Sequence, residues 1–184
     1  PVDIWLSTTY ARAGEGGTGA AKCGGNYAAS MIAQTEGEKH GCKQVIFKDP
    51  HRGDAIEELG GMNVFFIFGK ENKIVTPELT GTILEGVTRS SLIQLAKDRG
   101  MTVEERAITL TEWREGVANG DITEIFACGT AAVVAPIGKL KAEDFEIPAP
   151  TEHFGEISKS LREELVGIQL GTVEDRHGWM TRLI

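Results

Sequence analysis

Cysteine is scarce in this chain, and so is positive charge. Cys23, Cys42 and Cys128 are the three thiols, an odd number, with no Cys-x-x-Cys pair and no histidine at metal spacing. That excludes a disulfide scaffold and the usual zinc modules, and no metal is expected; free thiols fit a reducing compartment, so a cytoplasmic location is expected. Lys and Arg number 19 against 27 Asp and Glu, giving a net charge of −8 and a pI near 5.1. No basic stripe appears, which argues against a nucleic-acid surface. No apolar run is long enough to span a bilayer and no signal peptide is recognisable, so no membrane partner is expected. His40, His51, His153 and His177 lie scattered, without a Ser-His-Asp arrangement or a metal motif.

Glycine, by contrast, is abundant at 23 of 184 residues. Apolar runs lie between the glycines, which points to tight turns and backbone-lined sites rather than disorder. Hydrophobic residues at 41% and charged residues at 25% are ordinary for a globular chain of one domain with a substantial core. The stretch Thr18-Gly19-Ala20-Ala21-Lys22-Cys23-Gly24-Gly25-Asn26-Tyr27 sets one lysine among small residues. Small neighbours let a flat group approach the amine, and glycines allow close backbone contact. Such a lysine suits Schiff-base chemistry if burial or nearby cations supply a free amine. The plain alternative is a solvated loop lysine. A phosphate-binding P-loop fails on spacing, because Ala21 precedes Lys22 and Cys23 follows it.

Along the chain, Val2 to Ser7 reads as a strand, Tyr10 to Gly25 as loop, and Tyr27 to His40 as a helix closed by Gly41. Ala28, Ala29, Met31, Ile32, Ala33 and Thr35 are expected to form that helix's inner face. Strands are expected at Gln44 to Phe47, Val64 to Phe68 and Ile74 to Thr76, the last two joined as a hairpin through Lys70, Glu71 and Asn72. A second helix opens at Leu84 and ends at Gly100, with Leu92, Ile93, Leu95 and Ala96 inside. Val103 to Ile108 reads as a strand. Thr111 is the expected cap of a third helix ending near Asn119. Strands at Ile122 to Phe126 and Ala132 to Pro136 flank a small-residue turn, Ala127 to Ala131. A last helix spans Glu156 to Ile168. Without strict βαβ alternation, a mixed α/β domain is expected rather than a doubly wound sheet.

Three further places invite chemistry. Gly86-Val87-Thr88 at a helix start combines free N–H groups, the helix dipole and a hydroxyl, as an anion site would; taken alone, Thr88 is better read as a plain N-cap. Gly129-Thr130-Ala131 is a bare turn whose backbone N–H groups suit a phosphate or carboxylate, or simply a tight turn. Glu57 and Glu58 precede a glycine pair. One of them, facing inward, would need a cationic partner such as a protonated pyridine; otherwise they are two surface acids.

The lysine segment Thr18 to Tyr27 resembles that of the branched-chain-amino-acid aminotransferases, fold type IV pyridoxal-phosphate enzymes. The likeness continues through Glu58-Leu59-Gly60-Gly61-Met62-Asn63, Leu84-Glu85-Gly86-Val87-Thr88-Arg89 and Phe126-Ala127-Cys128-Gly129-Thr130-Ala131, and reaches Gly167 to Gly171 and His177-Gly178-Trp179-Met180, a tail of the actinobacterial type. It covers nearly the whole chain, with its motifs in order. The resemblance implies the large C-terminal domain of that fold over residues 1–184, a pseudo-barrel of strands with surrounding helices. It implies pyridoxal 5'-phosphate held by Lys22, with Tyr27 near its O3', Glu58 on the pyridine nitrogen, Leu84 packed on the ring, and Val87, Thr88 and Thr130 around the phosphate. It also implies that Gly129, Thr130 and Ala131 receive the substrate carboxylate. The activity implied is ping-pong transamination of leucine, isoleucine or valine with 2-oxoglutarate, by a homodimer when full length; the partners are a small amino acid and a 2-oxo acid.

The same fold hosts D-amino-acid transaminases and aminodeoxychorismate lyase, and these stand as alternatives. Two departures stand out. Glu85 occupies a place where the family usually has Pro, and puts a negative charge near the phosphate site. The family's smaller N-terminal domain, which supplies an arginine and substrate-side aromatics, is not in this sequence; the chain opens on Pro1, and the natural protein is expected to continue upstream. A fragment inactive by itself is the other expectation for these 184 residues. The Cys-x-x-Cys redox switch of mammalian members is replaced by Ala132-Val133-Val134-Ala135, so no thiol switch is expected there.

Overall fold

Residues 1–183 are described in a computed structural model of the chain. The elements run β1 (Val2–Ser7), α1 (Gly24–Lys39), β2 (Gln44–Lys48), β3 (Ile56–Leu59), β4 (Asn63–Phe68), β5 (Lys73–Thr76), α2 (Val87–Asp98), β6 (Thr102–Glu105), α3 (Leu110–Ala118), β7 (Ile122–Gly129), β8 (Val133–Lys141), β9 (Glu146–Ile147) and α4 (Glu156–Leu170). One mixed sheet takes the order β3-β2-β1-β8-β7-β4-β5-β6, with β9 beside β8. β1 runs parallel to β2 and β8, and β5 to β6, while the other neighbours are antiparallel.

The central strand β4 is buried at every position, and strand alternation divides its side chains between two layers. Val64, Phe66 and Phe68 face an inner core with Ile4, Leu6, Ile46 and Trp113. Phe65 and Ile67 face α2 and α4 through Leu92, Leu95, Leu161 and Leu165. The inner core also takes in Leu59 of β3 and Val75 of β5, near opposite ends of the strand order, so the sheet curls into a half-barrel around it. Each large apolar side chain buried in this way contributes about 1.5–3 kcal/mol. β8 pairs with β7 over Val133 to Pro136 and with β1 and β9 from Ile137 onward. Pro136, with no N–H to donate, stands at that changeover.

The mixed α/β class and the β4–β5 hairpin agree with the sequence reading, and several local expectations are corrected. The inner face of α1 is Asn26, Ser30, Ala33 and Gly37, while Met31 and Ile32 are 67% and 58% exposed. A narrow stripe is required there because Trp5 Cβ lies 2.9 Å from where a Cβ on Gly37 would sit. α2 begins at Val87 rather than Leu84, since Gly86 at φ 73° breaks the preceding chain. Its N-cap is Gly86, so Thr88 is a first-turn residue and not the cap. α3 is capped by Thr109, whose hydroxyl accepts from Glu112 N at 3.0 Å. Thr111 instead donates to Asp54 at 2.8 Å. The spacing Thr109-x-x-Glu112 is the capping signature that marks the true start. β6 stops at Glu105, because the backbone beyond it turns toward β3, where Ile56 N donates to Ile108 O. β7 extends through Ala127 and Cys128 to Gly129, held by pairing with β4 and β8.

Candidate active site

A cavity of about 330 Å³ lies where the loop before α1, the end of β3, the start of β4, the N-terminus of α2 and the β7–β8 turn meet. That volume is in the range of small-molecule sites. Lys22 reaches it from the loop before α1. The loop is held by Asn26, whose side-chain amide donates to Thr18 O at 2.7 Å and Ala21 O at 3.0 Å, and whose carbonyl accepts from the Thr18 hydroxyl at 2.7 Å. Ala20 N donates to Gly81 O at 3.0 Å. Gly19 lies so close to Thr82 that a Cβ would enter its backbone. The lysine loop is thus fastened to the segment leading into α2. Lys22 is itself exposed, so the enclosure that its chemistry calls for is not supplied by its neighbours in this chain.

Glu58 is the buried acid of the cavity. Its Oε1 forms an ion pair with Arg12 Nη1 at 2.9 Å and accepts a hydrogen bond from Leu84 N at 2.8 Å. Its Oε2 accepts from Asn63 Nδ2 at 3.3 Å. Arg12 and Glu58 are each 2% exposed. Burial pushes the Glu58 carboxyl up to about 7, against the downward pull of Arg12 and the Leu84 N–H. A cation brought to its free side would draw it back to the ionised state. Arg12 also donates to Thr82 O at 2.9 Å and Gly19 O at 3.4 Å, so one guanidinium ties the acid to both loops. Glu57 is buried as well, behind the cavity; neither acid is a surface residue.

One end of the cavity is the start of α2. Among the described residues no side chain caps this helix, and Val87 and Thr88 lead its first turn. Free N–H groups and the helix dipole there suit an anion. Gly86 is required here for two reasons: its φ of 73°, and Asn63 Oδ1, into which a Cβ would run. Asn63 Nδ2 in turn donates to Leu84 O at 2.9 Å, fixing the residue that borders the cavity. Glu85 is exposed and lies outside this cavity, in a groove with Arg89 and Glu105.

Across the cavity, Gly129 and Thr130 come from the β7–β8 connection, and Cys128 beside them has its thiol pushed up to about 12 by burial. Val133, which follows that turn, has φ 58°. Lys22, Gly129 and Thr130 also border an adjoining space of about 560 Å³, together with Met62, Ala131, Ala132 and Ala135.

The first cavity therefore collects Lys22, Tyr27, Glu58, Leu84, Val87, Thr88, Gly129 and Thr130, and leaves Ala131 to the adjoining space. The donor set fits a flat nitrogen heterocycle with an anionic arm: a primary amine, a buried carboxylate and an uncapped helix end. Sequence reasoning missed Arg12, Asn26, Asn63 and Thr82. Their polar side chains near glycines were the available signal, but only the fold reveals what they hold.

A family model described as amino-transferase class IV matches residues 8–140. The branched-chain-amino-acid aminotransferase of Mycolicibacterium smegmatis is 52% identical over 185 aligned residues, covering all of this chain and 50% of that protein. A probable branched-chain-amino-acid aminotransferase of Streptomyces coelicolor is 50% identical over 183, again covering all of this chain and 50% of the relative. The chain spans about half the length of the curated relatives it matches. Among solved structures, the branched-chain amino acid aminotransferase from Thermobaculum terrenum in its PLP-form, the holo-form, matches with a TM-score of 0.79 at 29% identity, over 98% of this chain and 54% of that one. The Escherichia coli branched-chain amino acid aminotransferase matches with a TM-score of 0.79 at 29% identity, over 98% and 57%.

Proposed function

The chain belongs to the class IV amino-transferase family, and from that premise we propose that the protein containing it transfers an amino group between leucine, isoleucine or valine and 2-oxoglutarate, with pyridoxal 5'-phosphate as cofactor. The observation that carries this reading is the convergence of Lys22, buried Glu58 and the uncapped start of α2 on one cavity. The relatives' names supply the substrate class, and the PLP-form of the Thermobaculum terrenum protein supports the cofactor.

The bound cofactor supplies an electron sink for the carbanion formed at the substrate Cα. This chain's residues do the rest. Lys22 would hold the cofactor through its side-chain amine, and its Nζ would carry the substrate's Cα proton. Glu58, held by Arg12, keeps the ring nitrogen protonated. Tyr27 and Leu84, which line the cavity, would hold the ring, Tyr27 through its hydroxyl beside the ring oxygen and Leu84 by packing on its face. The first-turn N–H groups of Val87 and Thr88, with the hydroxyls of Thr88 and Thr130, hold the phosphate. The backbone of Gly129 to Ala131 takes the substrate carboxylate, and the adjoining space beside Met62, Ala132 and Ala135 takes the branched side chain.

In this reading residues 1–184 are the cofactor-binding half of a longer cytoplasmic homodimer, and a small domain encloses the exposed Lys22. The chain alone then turns over leucine far more slowly than the full-length protein, because orientation and exclusion of water are lost together. The test is a visible spectrum with added pyridoxal phosphate, then borohydride reduction and peptide mapping. A visible band with the label on Lys22 is expected. Label spread over surface lysines, with no band, would overturn the assignment.

A further inference from the structure

We propose that Glu57 is a positioning residue of the same site, which gives up its proton when a protonated pyridine ring pairs with Glu58 and then balances the buried charge of Arg12. The inference rests on the reading of the cavity as the seat of such a ring.

Glu57 and Glu58 follow one another on β3, so their side chains leave on opposite sides of the strand. Glu58 borders the Lys22 cavity, whereas Glu57, 3% exposed, borders a small cavity of about 10 Å³ behind it. Thr82 joins the two sides. Its hydroxyl shares a hydrogen bond with Glu57 Oε1, and its carbonyl accepts from Arg12 Nη1 at 2.9 Å. Arg12 and Glu57 therefore share one residue, and Arg12 is the partner of Glu58.

Charge balance makes the argument. With the ring absent and Glu58 ionised, above its pKa of about 7, Arg12 and Glu58 form a buried ion pair with no net charge. A pyridinium on Glu58 makes two cations against one carboxylate, and an uncompensated charge in a desolvated site is costly. Glu57 is the neighbouring acid able to supply the second negative charge. Before that, it has reason to be neutral. Its Oε2 is buried without a hydrogen-bonding partner, so an ionised carboxylate would keep a bare anionic oxygen. Burial pushes its pKa up, with Asp49 acting the same way, while the Thr82 hydroxyl, Arg12 and His51 act against it. Arg52 and Glu78, which also border the small cavity, face each other in an ion pair.

The proton has a way out. The hydroxyls of Thr82 and Thr80 are 2.7 Å apart, and Thr80 is exposed. In the neutral state Glu57 carries its proton on Oε1 and donates it to the Thr82 oxygen, while the Thr82 hydroxyl donates to Thr80. As the Glu57 proton passes to the Thr82 oxygen, the Thr82 hydroxyl proton passes to Thr80 and that of Thr80 to water. Thr82 then donates back to the Glu57 carboxylate. One proton reaches solvent and each hydroxyl is restored.

The experiment is calorimetric titration of the full-length protein with 4'-deoxypyridoxine 5'-phosphate, a ring that cannot condense with Lys22, in buffers of different ionisation enthalpy at about pH 8, where Glu58 is ionised before the ring binds. The proton count follows from the buffer dependence. Glu57→Gln is expected to release fewer protons than the wild type, by up to about one per site. Equal release by the two would overturn the inference and leave the site assignment standing. No binding by the wild type would overturn both. Carbon NMR of labelled Glu57 in the unmutated protein reads the same event should the variant fail to fold: a move from the carboxyl to the carboxylate position on binding is expected, and an unmoved resonance would refute it.

Discussion

Glu58 makes the stability of the cofactor-free protein fall as pH rises through the neutral range. Burial lifts its carboxyl from the ordinary 4.5 to about 7. At about 1.4 kcal/mol per pH unit, that difference corresponds to about 3 kcal/mol. The sign follows from proton counting. Between these two values the unfolded chain has lost the proton and the folded chain still holds it, so the folded state binds more protons and loses stability as pH rises. Below 4.5 the group contributes no slope, and above about 7 the loss is complete. Against a typical total of about 5–15 kcal/mol, the effect is large enough to read by urea unfolding. The perturbation is Glu58→Gln, which keeps the shape and removes the titration. Both proteins are unfolded at about pH 5 and about pH 8, and the variant's change is subtracted from that of the wild type. Glu57 shifts in the same direction but is present in both, so the subtraction isolates Glu58. A wild-type loss exceeding that of the variant by about 2–3 kcal/mol is expected. A difference near zero, or a wild type that gains stability relative to the variant, would mean that Arg12 outweighs burial and would refute the reasoning.

Three other perturbations probe separate parts of the structure. Gly19→Ala drives a Cβ into the Thr82 backbone, and should cost about 1–3 kcal/mol and lower the borohydride-fixed label on Lys22; wild-type melting and labelling would show that the loops do not touch as described. Glu124 accepts from Ile157 N at 3.0 Å and Ser158 N at 2.8 Å at the start of α4, so Glu124→Ala should lower the melting temperature, at about 1–3 kcal/mol, without changing the Lys22 label. Glu85→Gln removes an exposed negative charge next to the α2 start and should tighten binding of 4'-deoxypyridoxine 5'-phosphate a few-fold at low salt, the gain vanishing above about 0.5 M salt; a gain that persists in high salt would point to a contact rather than a field.

Much of the fold is written in local patterns. The all-apolar run from Val64 to Phe68 marks a strand buried on both faces, and the glycines after α1 and α2 mark their ends. The inner face of α1 is not legible in this way, because it is chosen by a close crossing, where Gly37 meets Trp5, and not by hydrophobicity. The α3 start is ambiguous by two residues because Thr109 and Thr111 are both competent caps, and the Asp54 bond that occupies Thr111 comes from elsewhere in the chain. Lys22, Glu58 and Thr88 are recognisable by motif. Arg12 is not, because its meaning lies in meeting Glu58, 46 positions later, and the Thr82 carbonyl, 70 positions later. Glu57 resembles half of a surface pair, since no local pattern reports that both sides of β3 are covered.

The backbone of Val133 has a consequence for how this family member can drift. A β-branched residue at φ 58° resists that conformation by about 1–3 kcal/mol. The β7–β8 turn therefore keeps its shape because the paired strands impose it, not because its own residues prefer it. Mutational tolerance at the turn is set at a distance. Substitutions that loosen β8 near Pro136 should be felt first as an altered Thr130–Ala131 backbone, before any loss of global stability. Asn or Gly at 133 would relax the turn and so widen the range of β8 sequences able to support it.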